Sequence, residues 1–133
     1  MELTYGRGYV YSIKFHIVWC VKYRRKILNE EIEKNLIEIL NKIAKDNSFK
    51  IEEVNTDLDH IHLLISCSPQ HYIPDMLKAL KGVSARILMK KYGEDLKSKL
   101  YKGHLWNPSY FIATVSENIE EQIKTYIQNQ KEK

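Results

Sequence analysis

The sequence predicts an α+β fold: an antiparallel sheet of four strands, two helices packed on one face, and a third helix at the C-terminus. Three observations carry this. Apolar residues alternate with a period of two over residues 9–20 and 60–68, as in strands with one buried face. They recur every three or four residues behind Asn29 and Pro74, as in amphipathic helices. The elements then read in the order β-α-β-β-α-β-α. A chain of 133 residues has the length of one domain and can bury a modest core. No linker or repeat divides it, so residues 1–133 are read as a single domain.

Each element has its own signal. Over 9–20, Tyr9, Tyr11, Ile13, Phe15, Ile17 and Trp19 share one face of a long strand, and Val10, Ser12, Lys14, His16 and Val18 share the other. Asn29 is placed to cap a helix with Glu30 and Glu31 in its first turn. Its apolar stripe is Ile32, Leu36, Ile39, Leu40 and Ile43. Strands over 50–56 and 60–68 flank the polar Asp57-Leu58-Asp59 and form a hairpin. Pro74 suits a first helical turn, and Met76, Leu77, Leu80, Val83, Ile87 and Leu88 follow on one face. Residues 93–108 read mostly as loop and 110–115 as the fourth strand. Ser116 is placed to cap a last helix, about 116–130, with Glu120 and Glu121 early in it. Two right-handed βαβ halves of this kind build a ferredoxin-like sheet, the arrangement of RRM-like domains as well. That fold hosts many functions and selects none of them.

Composition narrows the classes. Hydrophobic residues at 44% and charged residues at 29% describe an ordinary globular domain rather than a disordered chain. No apolar run approaches the roughly 20 residues needed to cross a bilayer, and no signal-peptide pattern opens the chain. The expectation is a cytoplasmic protein without a membrane partner. Two cysteines, Cys20 and Cys67, are too few for a disulfide scaffold and read as buried thiols. A net charge of +4 permits a nucleic-acid partner without demanding one. The positive charge clusters at Lys22, Arg24, Arg25 and Lys26, and along the second helix at Lys78, Lys81, Arg86, Lys90 and Lys91. Solvated helix faces account for part of this. The candidate nucleic-acid contacts are Lys14, Arg24, Arg25, Lys81 and Arg86, of which Arg24 and Arg25 suit phosphates. Trp106 and Tyr110 suit base stacking or core packing equally.

The sharpest local feature is His60-Ile61-His62. Residues two apart on a strand leave the same face, so both imidazoles point away from the face that Ile61, Leu63, Ile65 and Cys67 give to the helices. Two neutral imidazoles on one side can bind a divalent metal. Alone, the pair fits packing or surface histidines better than a metal site. Asp59 should alternate away from His60, which favours a turn role. On the last helix, Ile119, Ile123, Tyr126, Ile127 and Gln130 fall in one stripe. A tyrosine hydroxyl and an amide within such a stripe require partners. Combined, these parts suit phosphodiester cleavage. A metal can neutralise charge developing on a phosphate, and a tyrosine can attack in line to leave a covalent phosphotyrosine. Gln130 would offer the metal an oxygen, and His16 is a second candidate ligand better suited to packing or DNA contact. The stripe of the last helix must also be buried somewhere, and a neighbouring subunit's uncovered sheet is one place for it.

Five blocks carry a resemblance: FHIVWCVKYRRKIL (15–28), DHIHLLI (59–65), LKGVSARIL (80–88), LWNPSYFIATV (105–115) and YIQNQ (126–130). In order and spacing the chain resembles the single-tyrosine HUH transposases, the TnpA type of small insertion sequences, over about residues 10–130. The resemblance implies that His60 and His62 are metal ligands, Gln130 the third protein ligand and Tyr126 the nucleophile. It implies Mg2+ or Mn2+ as the divalent metal, and a 5′-phosphotyrosine with a free 3′-OH as products. The implied partners are single-stranded DNA with hairpin ends and a second copy of the chain, in a homodimer whose sites are shared between chains. Two alternatives stand beside it. A non-catalytic RRM-like nucleic-acid-binding module would show aromatics on the uncovered face in place of paired histidines. A replication-initiator or relaxase-like HUH nuclease commonly has a longer chain and another motif order.

Overall fold

A computed structural model describes residues 3–100, 104–115 and 119–130, with Ile119 described in its backbone only. The expected cap at Ser116 and the side chain of Ile119 lie outside the described residues. The chain opens with a hairpin, β1 (Thr4–Gly6) and β2 (Tyr9–Tyr11), and continues into β3 (Ile13–Cys20). Then come α1 (Glu30–Asp46), β4 (Lys50–Asp57) and β5 (His60–Cys67). The helical run α2 (Ile73–Lys78) and α3 (Ser84–Lys97) is joined by a π-helical turn, Ala79–Val83. β6 (Phe111–Thr114) and α4 (Ile119–Asn129) complete the order.

β3 to β6 form one four-stranded sheet in the order β4-β5-β3-β6, with every neighbouring pair antiparallel. This is the ferredoxin-like order expected from two βαβ halves. The register of β3 on β5 sets Val18 opposite His62 and Cys20 opposite His60. Asn29 caps α1 as expected, its side chain accepting from the Ile32 N–H.

The main core lies between the sheet and the helical layer. Ile17 and Trp19 from β3, and Ile61, Leu63 and Ile65 from β5, are fully buried against Leu36 and Leu40 of α1 and Leu80, Leu88 and Leu96 of the second helical run. A smaller apolar cluster occupies the opposite face of the sheet. There Val18 and Ile123 are buried together, with Phe111, Ala113, Tyr126 and Ile127 around them. The last helix therefore packs its stripe on the sheet of its own chain.

Two boundaries and one buried position differ from expectation. The long first strand is interrupted: residues 9–11 turn back on β1 through Arg7-Gly8, with Gly8 at φ +81°. A two-residue hairpin turn takes that left-handed backbone most easily at glycine. The second helical run reaches Lys97, beyond the expected end at Gly93, because Leu96 is buried in the core. Ile87, expected inside, is 38% exposed; after the π-helical turn the buried stripe runs through Ser84 and Leu88 instead. Among the described residues, no helix is long and apolar enough to cross a membrane.

Candidate active site

β5 alternates as its sequence requires. Ile61, Leu63, Ile65 and Cys67 are buried, while His60 and His62 are half-buried on the other face. His16 comes from β3 on that same face, and its Nδ1 lies 2.9 Å from His62 Nε2. Burial first, and His16 second, hold the His62 pKa below its ordinary value, so the ring is neutral near pH 7. The face of the sheet on which α4 packs thus carries three imidazoles, His16, His60 and His62, beside the Phe111–Tyr126 cluster.

His60 is held differently. Its Nδ1 lies 2.8 Å from Asp59 Oδ1, and Arg24 donates from Nε (3.0 Å) and Nη2 (2.9 Å) to Asp59 Oδ2. Burial raises the Asp59 pKa, but the hydrogen bonds from His60 and Arg24 outweigh it and the net shift is downward. The carboxylate is therefore ionised and can only accept, so Nδ1 of His60 carries a proton and, in the neutral ring, the lone pair is on Nε2. Arg24 reaches Asp59 from a tight turn in which Tyr23 (φ 57°) and Arg24 (φ 52°) are both left-handed. For non-glycine residues that conformation costs about 1–2 kcal/mol each. Asp59 was expected to face away from His60 and to serve the turn alone. It does serve the turn, since its carbonyl accepts from Val21 N–H at 2.9 Å.

Tyr126 of α4, Gln130 just past its end and Ser109 form a second group. Tyr126 packs on Phe111, ring centroids 5.7 Å apart, and its hydroxyl lies 2.8 Å from Ser109 Oγ. Ser109 Oγ donates to Gln130 Oε1 at 3.0 Å. A serine has one proton to give, so Tyr126 must be the donor in its own bond to Ser109. Gln130 is buried, and burial raises the Tyr126 pKa above its ordinary value. Lys81 fastens the loop beneath them: its ammonium donates to the carbonyls of Asn107 (2.7 Å) and Ser109 (3.0 Å). Burial lowers the Lys81 pKa to about 8. A cleft of about 480 Å³ opens beside this group, lined by Lys22, Tyr23, Asn107, Pro108, Ser109, Tyr126 and Gln130.

The structure thus gathers the expected residues into two sets on one face of the sheet. His16, His60 and His62 stand on the strands, while Tyr126 and Gln130 are joined to each other through Ser109. Among the described residues, no three His, Cys, Asp or Glu side chains cluster as a metal shell. A metal here would need a donor of another kind, and a glutamine oxygen is one. The imidazole donors fit such an ion: His62 is neutral, and His60 is oriented by a carboxylate on Nδ1, so that Nε2 is the atom that could ligate.

The basic candidates separate. Arg25 and Arg86 are exposed, Arg86 on the helical layer behind the sheet. Lys14 is half-buried in a polar hollow of about 340 Å³ with Lys50, Glu52 and Ser66. Arg24 and Lys81 are engaged by Asp59 and by the loop carbonyls. Trp106 is a core residue, edge-on to Trp19 with its N–H donated to Ser84 Oγ at 3.0 Å. Ser84 therefore does more than fill space. Ser109 and Asp59 are the residues that sequence reasoning missed. Ser109 lies in a loop with no periodicity to expose it, and only the adjacency of Asp59 to His60 hinted at its part.

The family model described as Transposase IS200 like matches residues 9–130. The ISDra2 transposase TnpA of Deinococcus radiodurans is 49% identical over 133 residues, 100% of this chain and 94% of that relative. The transposase for insertion sequence element IS200 of Salmonella typhimurium is 33% identical over 122 residues, 92% of this chain and 79% of its own. Among solved structures, a Deinococcus radiodurans R1 protein described as a transposase superposes with a TM-score of 0.90 at 42% identity, covering 96% of this chain and 97% of that one. A REP-associated tyrosine transposase bound to a REP hairpin superposes with a TM-score of 0.59 at 15% identity, covering 93% of this chain and 68% of that one; this likeness is one of fold.

Proposed function

This chain belongs to the IS200-like transposase family, and from that premise we propose that Tyr126 cuts single-stranded DNA at insertion-sequence ends. The tyrosine oxygen bonds to the scissile phosphorus as the P–O3′ bond breaks. The phenolic proton leaves to solvent, and the departing O3′ takes up a proton. The products are a 5′-phosphotyrosine and a free 3′-OH. Attack of a 3′-OH on the phosphotyrosine reverses the step and rejoins strands, because the covalent link conserves the bond energy.

What supports this reading most is the placement of a half-buried tyrosine hydroxyl, on a helix docked against its own sheet, over the face that carries the histidines. His60 and His62, with Gln130 once it leaves Ser109, would hold a divalent metal, Mg2+ or Mn2+. When bound, such an ion polarises the phosphate and neutralises the charge developing on it. Imidazole ligation is compatible with Mn2+, whereas Mg2+ would lean on the Gln130 oxygen, phosphate and water. Phe111 packs against the Tyr126 ring and so limits where its hydroxyl points. The cleft lined by Lys22 and Tyr23 gives an extended strand a way to that hydroxyl. The partners in this reading are single-stranded DNA with hairpin ends and a second copy of the chain; sharing of the active sites in the homodimer would require α4 to leave its own sheet for the partner's.

The test is Tyr126→Phe. The substitution removes only a hydroxyl and keeps the ring's packing on Phe111. Incubated with a single-stranded insertion-sequence end, the unaltered chain should give a protein–DNA adduct on a denaturing gel. The variant should bind the same DNA and give none. An adduct that persists on Tyr110 or another tyrosine would remove Tyr126 from the mechanism.

A further inference from the structure

Asp59 and Arg24 stand one and two contacts behind the proposed metal site. Asp59 divides its carboxylate: Oδ1 takes the His60 Nδ1 proton at 2.8 Å, and Oδ2 takes both Arg24 bonds at 3.0 and 2.9 Å. The Asp59 side chain is only 8% exposed and that of Arg24 23%. The backbone carries the same chain of contacts. Val21 N–H donates to the Asp59 carbonyl at 2.9 Å, and Arg24 N–H donates to the Val21 carbonyl at 2.7 Å. The turn that delivers Arg24 uses two consecutive left-handed, non-glycine residues. Were Arg24 only a phosphate contact, an exposed position such as that of Arg25 would serve without this backbone. Among the described residues the His62 ring is met by another imidazole, that of His16, in place of a hydrogen-bonded carboxylate.

We propose that Arg24 and Asp59 are positioning residues that fix the His60 imidazole in its Nδ1–H tautomer and aim its Nε2 lone pair at the metal. The inference rests on the reading of His60 as a ligand. A carboxylate behind a ligating histidine sets the ring's tautomer and orientation and raises its basicity, and its loss typically weakens metal binding 10- to 100-fold. Arg24 acts one step further back. It holds Oδ2, so that Asp59 turns Oδ1 toward His60 and cannot rotate away. Its removal should therefore cost less than removal of Asp59 itself.

The experiment uses the full chain without DNA and has two readouts. Mn2+ binding is measured by calorimetry, and the His60 tautomer by 15N chemical shifts of metal-free protein. The variants are Asp59→Ala, Asp59→Asn and Arg24→Gln, with His60→Ala as reference. In the unaltered chain the shifts should report a protonated Nδ1 and an unprotonated Nε2. Asp59→Ala should give a mixture of tautomers and lose about 10- to 100-fold in Mn2+ affinity. Asp59→Asn, which can still offer an oxygen to Nδ1, should fall between, and Arg24→Gln should lose less than Asp59→Ala. A residue that served only the turn would leave the tautomer unchanged in every folded variant. Should Asp59→Ala fail to fold, Asp59→Asn and Arg24→Gln decide by the same shifts. If His60→Ala abolishes Mn2+ binding while the other variants keep both the affinity and the tautomer, the positioning role is wrong and the metal reading survives. If His60→Ala leaves binding intact, the metal reading itself falls.

Discussion

Replacing Ser109 by alanine should loosen α4 without loosening the rest of the protein. Ser109 Oγ is the shared partner of the Tyr126 hydroxyl and the Gln130 oxygen, at 2.8 and 3.0 Å. Ser109→Ala removes both bonds at once. Gln130 is 5% exposed, so its oxygen would be left without a partner away from water. Such a loss costs about 1–3 kcal/mol. Tyr126 is only half-buried, and its hydroxyl can turn to solvent at little cost. What remains to hold the helix is the small cluster of Ile123, Tyr126 and Ile127 on Val18, Phe111 and Ala113. The cost should therefore fall on the local opening of α4. At 1.4 kcal/mol per tenfold, it corresponds to roughly 5- to 150-fold. Native-state hydrogen exchange reads this directly: amides of α4 should exchange faster by that factor, and those of α1 at an unchanged rate. Unchanged α4 exchange would mean that Ser109 does not hold the helix. Equal acceleration in α1 and α4 would mean that α4 has no opening of its own.

Further outcomes follow from the same geometry. His60→Ala or His62→Ala should abolish metal-dependent cleavage with little change in circular dichroism, since both side chains lie outside the buried core; metal binding that survives in the double variant would refute the site. Burial first, and the Asp59 carboxylate second, push the Cys20 pKa from 9.0 to about 11. Between those values the unfolded chain releases a proton that the folded chain keeps, so stability should fall as pH rises from 9 to 11. The fall attributable to Cys20 is on the order of 2–3 kcal/mol; denaturant titrations of the unaltered chain and Cys20→Ala should diverge by that amount, and parallel curves would contradict it. The protein should bind hairpin-bearing single-stranded ends in preference to the same sequence as duplex, with affinity falling as salt rises; equal affinities at matched salt would count against the proposed substrate. Mixing Tyr126→Phe with His60→Ala after subunit exchange should recover some cleavage if sites are shared between chains, and no recovery despite heterodimers confirmed by mass would place both halves in one chain.

Where a buried face repeats, the sequence was legible. The alternation of His60 and His62 with Ile61, Leu63 and Ile65 fixed which way the imidazoles point, because a slip of one residue would have buried them in the core. The cap at Asn29 was equally plain, since the side-chain oxygen and its donor, the Ile32 N–H, are three residues apart. The β1–β2 hairpin was missed because the period of residues 9–11 continues that of β3, and only Gly8 marks the turn. The π-helical turn has no residue signature of its own and shows itself only by turning Ile87 outward. Asp59 was misjudged for a simple reason. Alternation governs residues inside a strand, and β5 begins at His60. Asp59 sits in the turn, so its carboxylate can fold back on its neighbour.

The two halves of the candidate site are held with unequal firmness. The histidines stand on the two central strands of the sheet, whose other face is the main core, so displacing them means breaking the core. Tyr126 stands on a helix, and Gln130 just past its end, held by two buried residues, a few half-buried ones and one serine. The same serine occupies the Gln130 oxygen that the metal reading requires. Ligation by Gln130 and its bond to Ser109 therefore exclude each other unless that oxygen serves both. Exchange between them requires movement of α4, or of the side chains at its end, and not of the sheet. The energetics permit this: the helix can shift for about the cost of a few hydrogen bonds and a small apolar contact, while the imidazoles stay aligned.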